Sequence, residues 1–217
     1  MSTKTAEPEP YQGGAKYNSV YDQSTVEIYD QWAADGYDAQ IAANSICCDN
    51  LVAKFFSLVK ADAAPLKILD AGCGTGRVGE VCQRDKNNVA IDLIDGIDYS
   101  QGMLDVAKTK NAYNNLTVVD LTKPFDPTLF PTNTYDAMLC SGVFLQGHVG
   151  PEAIPELSRV VKVGGLLCFT VRPTFFEKTK TEWESALERA GVDVLEIALL
   201  EYTKDFPAPY LMCRKRE

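Results

Sequence analysis

The chain has 217 residues, of which 46% are hydrophobic and 24% charged, a composition typical of a globular protein with a substantial core. Its formal net charge of −9 lacks the basic excess that binds phosphate backbones, so we expect no nucleic-acid partner. The seven cysteines include no C-x-x-C pair, which argues against a disulfide framework and against a metal site. We therefore expect a reducing, cytoplasmic compartment. No membrane partner is expected, because no apolar run approaches the roughly 20 residues of a membrane span.

The N-terminal part divides into a polar start and two helical segments. Residues 1–18 are rich in proline, glycine and polar side chains, which predicts a mobile tail. One domain is expected over residues 19–217, with an N-terminal helical lid over about 19–62. Within that lid, apolar spacing predicts a helix over about 42–60.

The first helical segment is unusually aromatic for the end of a chain. Tyr29, Trp32 and Tyr37 lie within nine residues of one another. They either anchor a peripheral helix to the core or fold over a ligand, because an aromatic ring offers a large apolar surface with a polar edge. We favour the second interpretation for all three residues.

A short apolar strand ending at Asp70 leads into a glycine-rich turn that opens a helix. Such a turn lets a ligand approach the backbone at a helix N-terminus. Gly74, Gly76 and Gly79 also spell the G-x-G-x-x-G of dinucleotide-binding proteins, in which Asp98 would bind a ribose. Asp70 separates the two interpretations, because a carboxylate at the turn repels a pyrophosphate and suits a cationic ammonium group.

Acidic residues also follow the next two predicted strands. The second strand ends at Asp98, with Ser100 as the N-cap of the helix behind it, and the third strand is followed by Asp120. Open α/β sheets bind ligands at the carboxyl ends of their strands. We therefore expect Asp98 to accept hydrogen bonds from ribose hydroxyls, with Asp95 as an outward-facing rival. Asp120 is expected to accept from an adenine amino group, with the backbone N–H of Leu121 beside it.

The fourth predicted strand, residues 135–140, runs into Ser141 and a loop that contains His148, the only histidine. Imidazole titrates near neutral pH, so His148 is a candidate proton acceptor or substrate contact near the acceptor. The alternative is that it orients the loop through a hydrogen bond. Arg172, at the end of the fifth strand, is expected at the surface.

Further elements are predicted up to the C-terminus. They are a helix opened by Pro151 and ended by Gly164 and Gly165, a fifth strand over 166–172, a helix with a capping box at Thr181 and Glu184, and strands over 192–202 and 210–214 joined through Pro207 and Pro209.

The Asp-x-Gly-x-Gly-x-Gly pattern at 70–76, the stretch 96–104, and the stretch 153–166 together resemble class I S-adenosylmethionine-dependent methyltransferases of the Methyltransf-11/25 type. The similarity runs over about residues 29–172 and departs from the usual Lys-Pro-Gly-Gly at Val163. It implies an α/β, Rossmann-like fold with a seven-stranded, mostly parallel sheet, an antiparallel last strand and helices on both faces.

The resemblance implies S-adenosylmethionine as the cofactor. No metal is expected, because the sequence has no metal-ligand cluster of acids and histidine of the catechol type. Asp70 and the glycines would hold its methionine part, Met103 would pack on the adenine, and His148 is the candidate catalytic residue. The cofactor-binding residues expected on this basis are Tyr29, Trp32, Tyr37, Asp70, Ala71, Gly72, Gly74, Gly76, Asp98, Tyr99, Met103, Asp120, Leu121 and Ser141.

The resemblance implies methyl transfer by in-line displacement (EC 2.1.1.-). The small size of the chain, its aromatic N-terminal segment and its acidic charge favour a small-molecule acceptor in a closed pocket. No Asn/Asp-Pro-Pro-Tyr follows the fourth strand, which disfavours the amines of DNA bases as acceptors. A protein methyltransferase with an exposed groove and a catalytically silent cofactor-binding regulatory partner stay open as alternatives. A nicotinamide enzyme is a more distant one. The acceptor atom and the oligomeric state are not encoded in any motif of the sequence.

Overall fold

The computed structural model of the chain describes residues 23–34, 36–41, 45–60, 63–86 and 89–217, so the predicted tail over 1–18 lies outside the described residues. The described residues form a seven-stranded sheet. Its strands are β1 (Leu66–Ala71), β2 (Ile91–Asp98), β3 (Asn115–Val118), β4 (Tyr135–Phe144), β5 (Val161–Val171), β6 (Val192–Thr203) and β7 (Phe206–Lys215). They lie in the order β3-β2-β1-β4-β5-β7-β6. Strand β7 runs antiparallel to both neighbours, whereas the pairs among β1 to β5 are parallel. The predicted α/β fold is confirmed.

Helices cover both faces of this sheet. They are α1 (Gln23–Ala34), α2 (Tyr37–Ile41), α3 (Cys47–Leu58), α4 (Arg77–Asp85), α5 (Gln101–Thr109), α6 (Ile154–Val160), α7 (Pro173–Lys178) and α8 (Lys180–Arg189). Helices α3 and α4 contribute to one apolar cluster, and α6 and α8 to another. Ile68 and Leu69, adjacent in β1, are both fully buried and belong to opposite clusters. A central parallel strand buried on both faces explains why its sequence is apolar without alternation.

The strand order fixes where a ligand can bind. From β1 the chain proceeds to β2 and β3 on one side and then crosses to β4 on the other side. The loops that leave β1 and β4 therefore diverge and open a crevice at the carboxyl ends of these two strands. Such a switch point is where open α/β sheets bind their ligands.

Gly164 and Gly165 do not end a helix, which corrects the sequence expectation. Helix α6 ends at Val160, and both glycines lie inside β5, which begins at Val161. The β4–β5 pairing shifts register there, and a Cβ on Gly165 would lie 2.7 Å from the Asp136 carbonyl oxygen. The glycine pair therefore forms a bulge in the strand.

Two C-terminal expectations are also wrong. Pro207 and Pro209 lie within β7 and pair with β6 instead of forming the connection between the strands. Strand β5 pairs with β7 only as far as Tyr210, so the prolines occupy a stretch where one side of β7 has no ladder partner. Helix α8 begins before Thr181, at Lys180, and directly follows α7, which has Pro173 at its first position.

Other boundaries differ less. The helix predicted over about 42–60 spans Cys47–Leu58, and residues 42–44 lie outside the described residues. Ser100 is the N-cap of α5 as predicted, and its side chain accepts from the Met103 N–H at 3.0 Å. Among the described helices, none combines the length and apolar character needed to cross a bilayer.

Candidate active site

A cleft of about 1080 Å³, counted out to its open mouth, lies beyond the carboxyl ends of β1, β2 and β4. The predicted site residues that line it are Tyr29, Tyr37, Gly72, Gly74, Asp98, Tyr99, Met103, Ser141 and His148. The predicted residues outside its lining are Trp32, Asp70, Ala71, Gly76, Asp120 and Leu121. Residues from several helices, strands and turns thus converge on one concave surface, the form that small-molecule sites take.

The glycine-rich turn after β1 forms the floor of the cleft. Gly72 and Gly74 have φ angles of 70° and 53°, in the left-handed region that favours glycine. A Cβ on Gly72 would lie 2.3 Å from Val143 Cγ2, so the turn can approach β4 only with glycine there. A Cβ on Gly74 would meet nothing within 4 Å. Gly74 therefore leaves open space where a ligand can reach the backbone.

Asp98 joins this turn to β2. Its Oδ2 accepts from the Gly74 N–H at 2.8 Å, and its Oδ1 accepts from the Ser100 N–H at 2.9 Å. Burial raises the pKa of Asp98 above its ordinary value, although these backbone hydrogen bonds oppose the shift. Each carboxylate oxygen has capacity for a further hydrogen bond. Asp98 can therefore accept from two hydroxyl groups in the cleft, whereas its rival Asp95 accepts from the Tyr135 hydroxyl at 2.8 Å and lies outside the lining.

Asp70 lies beneath the turn and is fully buried. Its Oδ2 accepts from the Tyr113 hydroxyl at 2.6 Å, and its Oδ1 has no hydrogen-bond partner among the described residues. Burial raises the pKa of Asp70 to about 7, with a contribution from the Asp98 charge and against the Tyr113 hydrogen bond. A buried carboxylate with one unpartnered oxygen favours a cation nearby. Because Asp70 does not line the cleft, its charge acts there through the field and not through direct contact.

Helix α1 is fixed to the N-terminus of α5. Asp30 accepts from the Ser100 hydroxyl and, at 2.9 Å, from the Gly102 N–H. A Cβ on Gly102 would lie 2.9 Å from the Asp30 Cα, so glycine is required for this approach. The contact places α1 at the N-terminal end of α5, where Met103 lines the cleft.

Helix α2 is fixed to the glycine-rich turn itself. Asp38 accepts from the Thr75 hydroxyl at 2.5 Å and pairs with the Lys110 ammonium at 2.7 Å. Tyr37 packs edge-on against Trp32, with 4.6 Å between the ring centroids. Trp32 does not line the cleft itself, but it packs against Tyr29 and Tyr37, which do.

His148 lines the cleft beside Tyr29 of α1. The Tyr29 ring packs edge-on against its imidazole, with 5.9 Å between the ring centroids. Burial, and then the positive charge of Arg172, lower the pKa of His148, so its imidazole is neutral at pH 7. Arg172 in turn lies over the rings of Tyr202 and Phe206, 5.5 and 5.6 Å from their centroids. A neutral imidazole at this position can accept a proton.

Asp120 and Leu121 follow β3 but do not line the cleft. Leu121 is 2% exposed and packs in a hydrophobic cluster. Burial opposes ionisation of Asp120, but hydrogen bonds from Thr122 and the Lys123 ammonium hold its pKa below the ordinary value. The adjacent Val119 N–H donates to the Asp98 carbonyl at 2.9 Å, so this segment still flanks the cleft.

Comparison with known proteins agrees with this geometry. Residues 68–165 match the family model described as a methyltransferase domain. The chain is 34% identical over 176 residues to Methyltransferase-like protein 27 of Homo sapiens, an alignment that covers 80% of this chain and 66% of that protein. The chain belongs to the class I S-adenosylmethionine-dependent methyltransferases.

Two further methyltransferases are similar over a shorter stretch or at lower identity. The chain is 32% identical over 115 residues to 2-methyl-6-phytyl-1,4-hydroquinone methyltransferase 1, chloroplastic, of Oryza sativa subsp. japonica, covering 51% of this chain and 33% of that protein. The crystal structure of magnesium protoporphyrin IX methyltransferase from Synechocystis PCC 6803 with bound SAM matches with a TM-score of 0.58 at 17% identity, over 92% of this chain and 87% of that one. The chain thus spans 66% and 33% of the length of the two curated relatives.

The sequence interpretation of this methyltransferase missed a cluster of thiol and hydroxyl groups. The sulfur of Cys47 lies 3.8 Å from that of Cys48, 3.1 Å from the Ser45 hydroxyl and 3.4 Å from the Ser141 hydroxyl. A hydrogen bond from Cys48, supported by hydroxyl groups including that of Tyr202, lowers the pKa of Cys47 to about 6 against the effect of burial. All five side chains line the cleft. The one signal in the sequence was the Cys-Cys pair.

Proposed function

We propose that this chain binds S-adenosylmethionine in the cleft and catalyses methyl transfer to a small-molecule acceptor. The observation that carries the proposal is the convergence of the Asp98 carboxylate, the open backbone at Gly74 and the acceptor-side groups Ser141 and His148 in one cleft beneath α1 and α2. Family membership supports the cofactor, since class I methyltransferases use it.

The residues present suit a positively charged nucleoside that carries no phosphate. The carboxylate of Asp98 has capacity for two hydroxyl groups, and the buried Asp70 has an unpartnered oxygen that favours a cation. Gly74 leaves room at the turn for a ligand to approach. A pyrophosphate at the same turn would lie beside the Asp98 carboxylate and within the field of the buried Asp70, which disfavours a dinucleotide.

When bound, S-adenosylmethionine supplies a methyl group on a sulfonium, which needs little further activation. The chain's residues would hold and orient the partners: Asp98 would accept from the ribose hydroxyls, and Met103 would pack on the adenine. Helices α1 and α2 cover the cleft and exclude water. The neutral imidazole of His148 takes the proton of an acceptor that must lose one.

A small molecule suits this site better than a protein side chain. Tyr29 and Tyr37 of the N-terminal segment line the cleft, and Tyr29 packs against His148. Bulky side chains there favour a small molecule over a polypeptide, which needs an open groove. The rice relative is named for a small aromatic acceptor. We extend the proposal to the segment itself, which would act as a lid. The seven free cysteines support the proposal that the protein acts in a reducing, cytoplasmic compartment.

Calorimetric titration with S-adenosylhomocysteine tests cofactor binding directly. We expect one site per chain and no heat with NAD under the same conditions. Screening a metabolite extract with the methyl-labelled cofactor should then give a labelled small molecule, which disappears in Asp98→Ala. Label that appears only in protein would favour the protein methyltransferase, and cofactor binding without any labelled product would favour a regulatory partner.

A further inference from the structure

The cleft is lined by three soft or polar donor atoms that lie within 3.8 Å of one another. We propose that Cys47, Cys48 and Ser141 form a binding site for a thiol-seeking divalent metal ion, Zn²⁺. The sequence argues against a metal site, because adjacent cysteines without a C-x-x-C spacing are not a recognised zinc motif.

The distances among these donors match one face of a coordination tetrahedron. The two sulfurs are 3.8 Å apart, and the Ser141 hydroxyl lies 3.4 Å from the Cys47 sulfur and 3.6 Å from the Cys48 sulfur. A tetrahedral Zn²⁺ with Zn–S bonds of about 2.3 Å and a Zn–O bond of about 2.1 Å requires edges of about 3.8 Å between sulfurs and about 3.6 Å from sulfur to oxygen. One ion can therefore contact all three atoms with shifts of a few tenths of an ångström.

Separate elements hold the donors in this arrangement. Cys47 and Cys48 open α3, and the residue before them is fixed to β6 by a hydrogen bond from the Ile46 N–H to the Tyr202 carbonyl at 3.1 Å. Ser141 belongs to β4, in the centre of the sheet. The site is thus built from the sheet and a helix packed on it, which limits rearrangement when a metal ion binds.

The donor set differs from the usual structural zinc site. No group of three or more His, Cys, Asp or Glu side chains in the described part of the chain is placed to hold a metal ion. Here the third donor is a hydroxyl, so the fourth position is left for an exogenous ligand. All three side chains line the cleft, which puts that open position on the cleft side. An open fourth position is typical of catalytic and not of structural zinc.

The open position favours an acceptor with a soft donor atom, and a thiol is the simplest. Binding of Zn²⁺ forms two Zn–S bonds and releases to solvent the thiol protons still present. An acceptor thiol that enters the fourth position likewise exchanges its S–H bond for a Zn–S bond and is held as a thiolate. This use of the site depends on the methyl transfer proposed above, whereas metal binding itself does not.

Titration with Co²⁺ in the absence of cofactor tests the site. We expect one equivalent to bind with a thiolate-to-cobalt charge-transfer absorption, and Zn²⁺ to displace it. Cys47→Ser and Cys48→Ser should each weaken binding at least tenfold and reduce that absorption. Cys82→Ala, which removes a buried thiol from α4 outside the cleft, should leave both unchanged. An unchanged absorption in the Cys47→Ser/Cys48→Ser double variant, or binding without any charge-transfer absorption, would overturn the site.

A second measurement needs no variant. Saturating Zn²⁺ should protect Cys47 and Cys48 of the unmodified chain from alkylation by iodoacetamide, as read by peptide mass spectrometry, and alkylation at an unchanged rate would contradict the proposal. Titration with S-adenosylhomocysteine separates the two proposals. If S-adenosylhomocysteine binds but Co²⁺ gives no charge-transfer absorption, the metal site alone is refuted. If Co²⁺ gives that absorption but S-adenosylhomocysteine does not bind, the methyl-transfer proposal alone is refuted.

Discussion

Replacing Asp70 by asparagine should make the ligand-free protein more stable at pH 8 while weakening its affinity for the cofactor. Asp70 is fully buried, one of its oxygens has no partner among the described residues, and the other accepts from the Tyr113 hydroxyl. The asparagine oxygen can keep the bond from Tyr113, so the substitution removes mainly the charge. A residue retained at a cost to stability is expected where a ligand of opposite charge binds.

The magnitude follows from the pKa of Asp70, which burial raises from 3.8 to about 7. A raised pKa means that the folded state binds the proton more tightly than the unfolded state. The free energy of unfolding therefore falls as the pH rises from about 4 to about 7 and is constant beyond, by a total of about 4 kcal/mol for this group. Below pH 4 the protonated acid and the amide are both neutral, so the two proteins should have similar stabilities.

Urea unfolding of the wild type and of Asp70→Asn at pH 4, 6 and 8 measures this difference. The free energy of unfolding of the variant, relative to that of the wild type, should rise by about 4 kcal/mol between pH 4 and pH 8. Asp95→Asn is a matched control, because Asp95 also accepts from a tyrosine hydroxyl, that of Tyr135, but is only half buried. The free energy of unfolding of this control, relative to that of the wild type, should change by less than about 1 kcal/mol over the same pH range. A variant at Asp70 that is less stable than the wild type at pH 8 would refute the reasoning.

Three further substitutions probe the cleft. Asp98→Ala removes acceptors for two hydroxyl groups and should weaken S-adenosylhomocysteine binding at least about 100-fold by calorimetry. The control Asp95→Ala should change that binding by less than about threefold. Equal effects of the two substitutions would contradict the assignment of Asp98. Gly72→Ala drives a Cβ to 2.3 Å from Val143 and should cost about 2 kcal/mol or more in urea unfolding, so a neutral result would exclude the close approach. Asp30→Ala removes the acceptor that holds α1 on α5 and should speed amide hydrogen exchange in α1 without lowering the global stability measurably; unchanged exchange would show that α1 is held by other contacts.

The part of the site that lies in one continuous stretch was predictable. A buried strand, an acid and a glycine turn occupy residues 68–76, and their spacing alone indicates a strand, a close ligand approach and a helix N-terminus. The same pattern recurs one strand later, where Asp98 ends β2 and Ser100 caps the helix that follows. These contacts are local or between neighbouring parallel strands, so the pattern of residue types determines them.

The features that the sequence did not reveal depend on contacts between distant residues. Gly164 and Gly165 read as a helix stop, but the register of β5 against β4 makes them a bulge. The same holds at the other end of the chain, where Pro207 lies in a strand because β5 does not extend far enough to pair beside it. The thiol cluster joins Cys47 to Ser141, 94 residues apart, and no local pattern encodes that distance.

The account depends most on a phosphate-free, positively charged nucleoside occupying the cleft, and a crystal structure with S-adenosylhomocysteine tests it most directly. We predict ribose hydroxyls on the Asp98 carboxylate, the methionine part over Gly72 and Gly74, and the sulfur directed toward Ser141 and His148. A cleft that stays empty at saturating S-adenosylhomocysteine, or one that takes up NAD with its pyrophosphate against Gly74, would contradict the account.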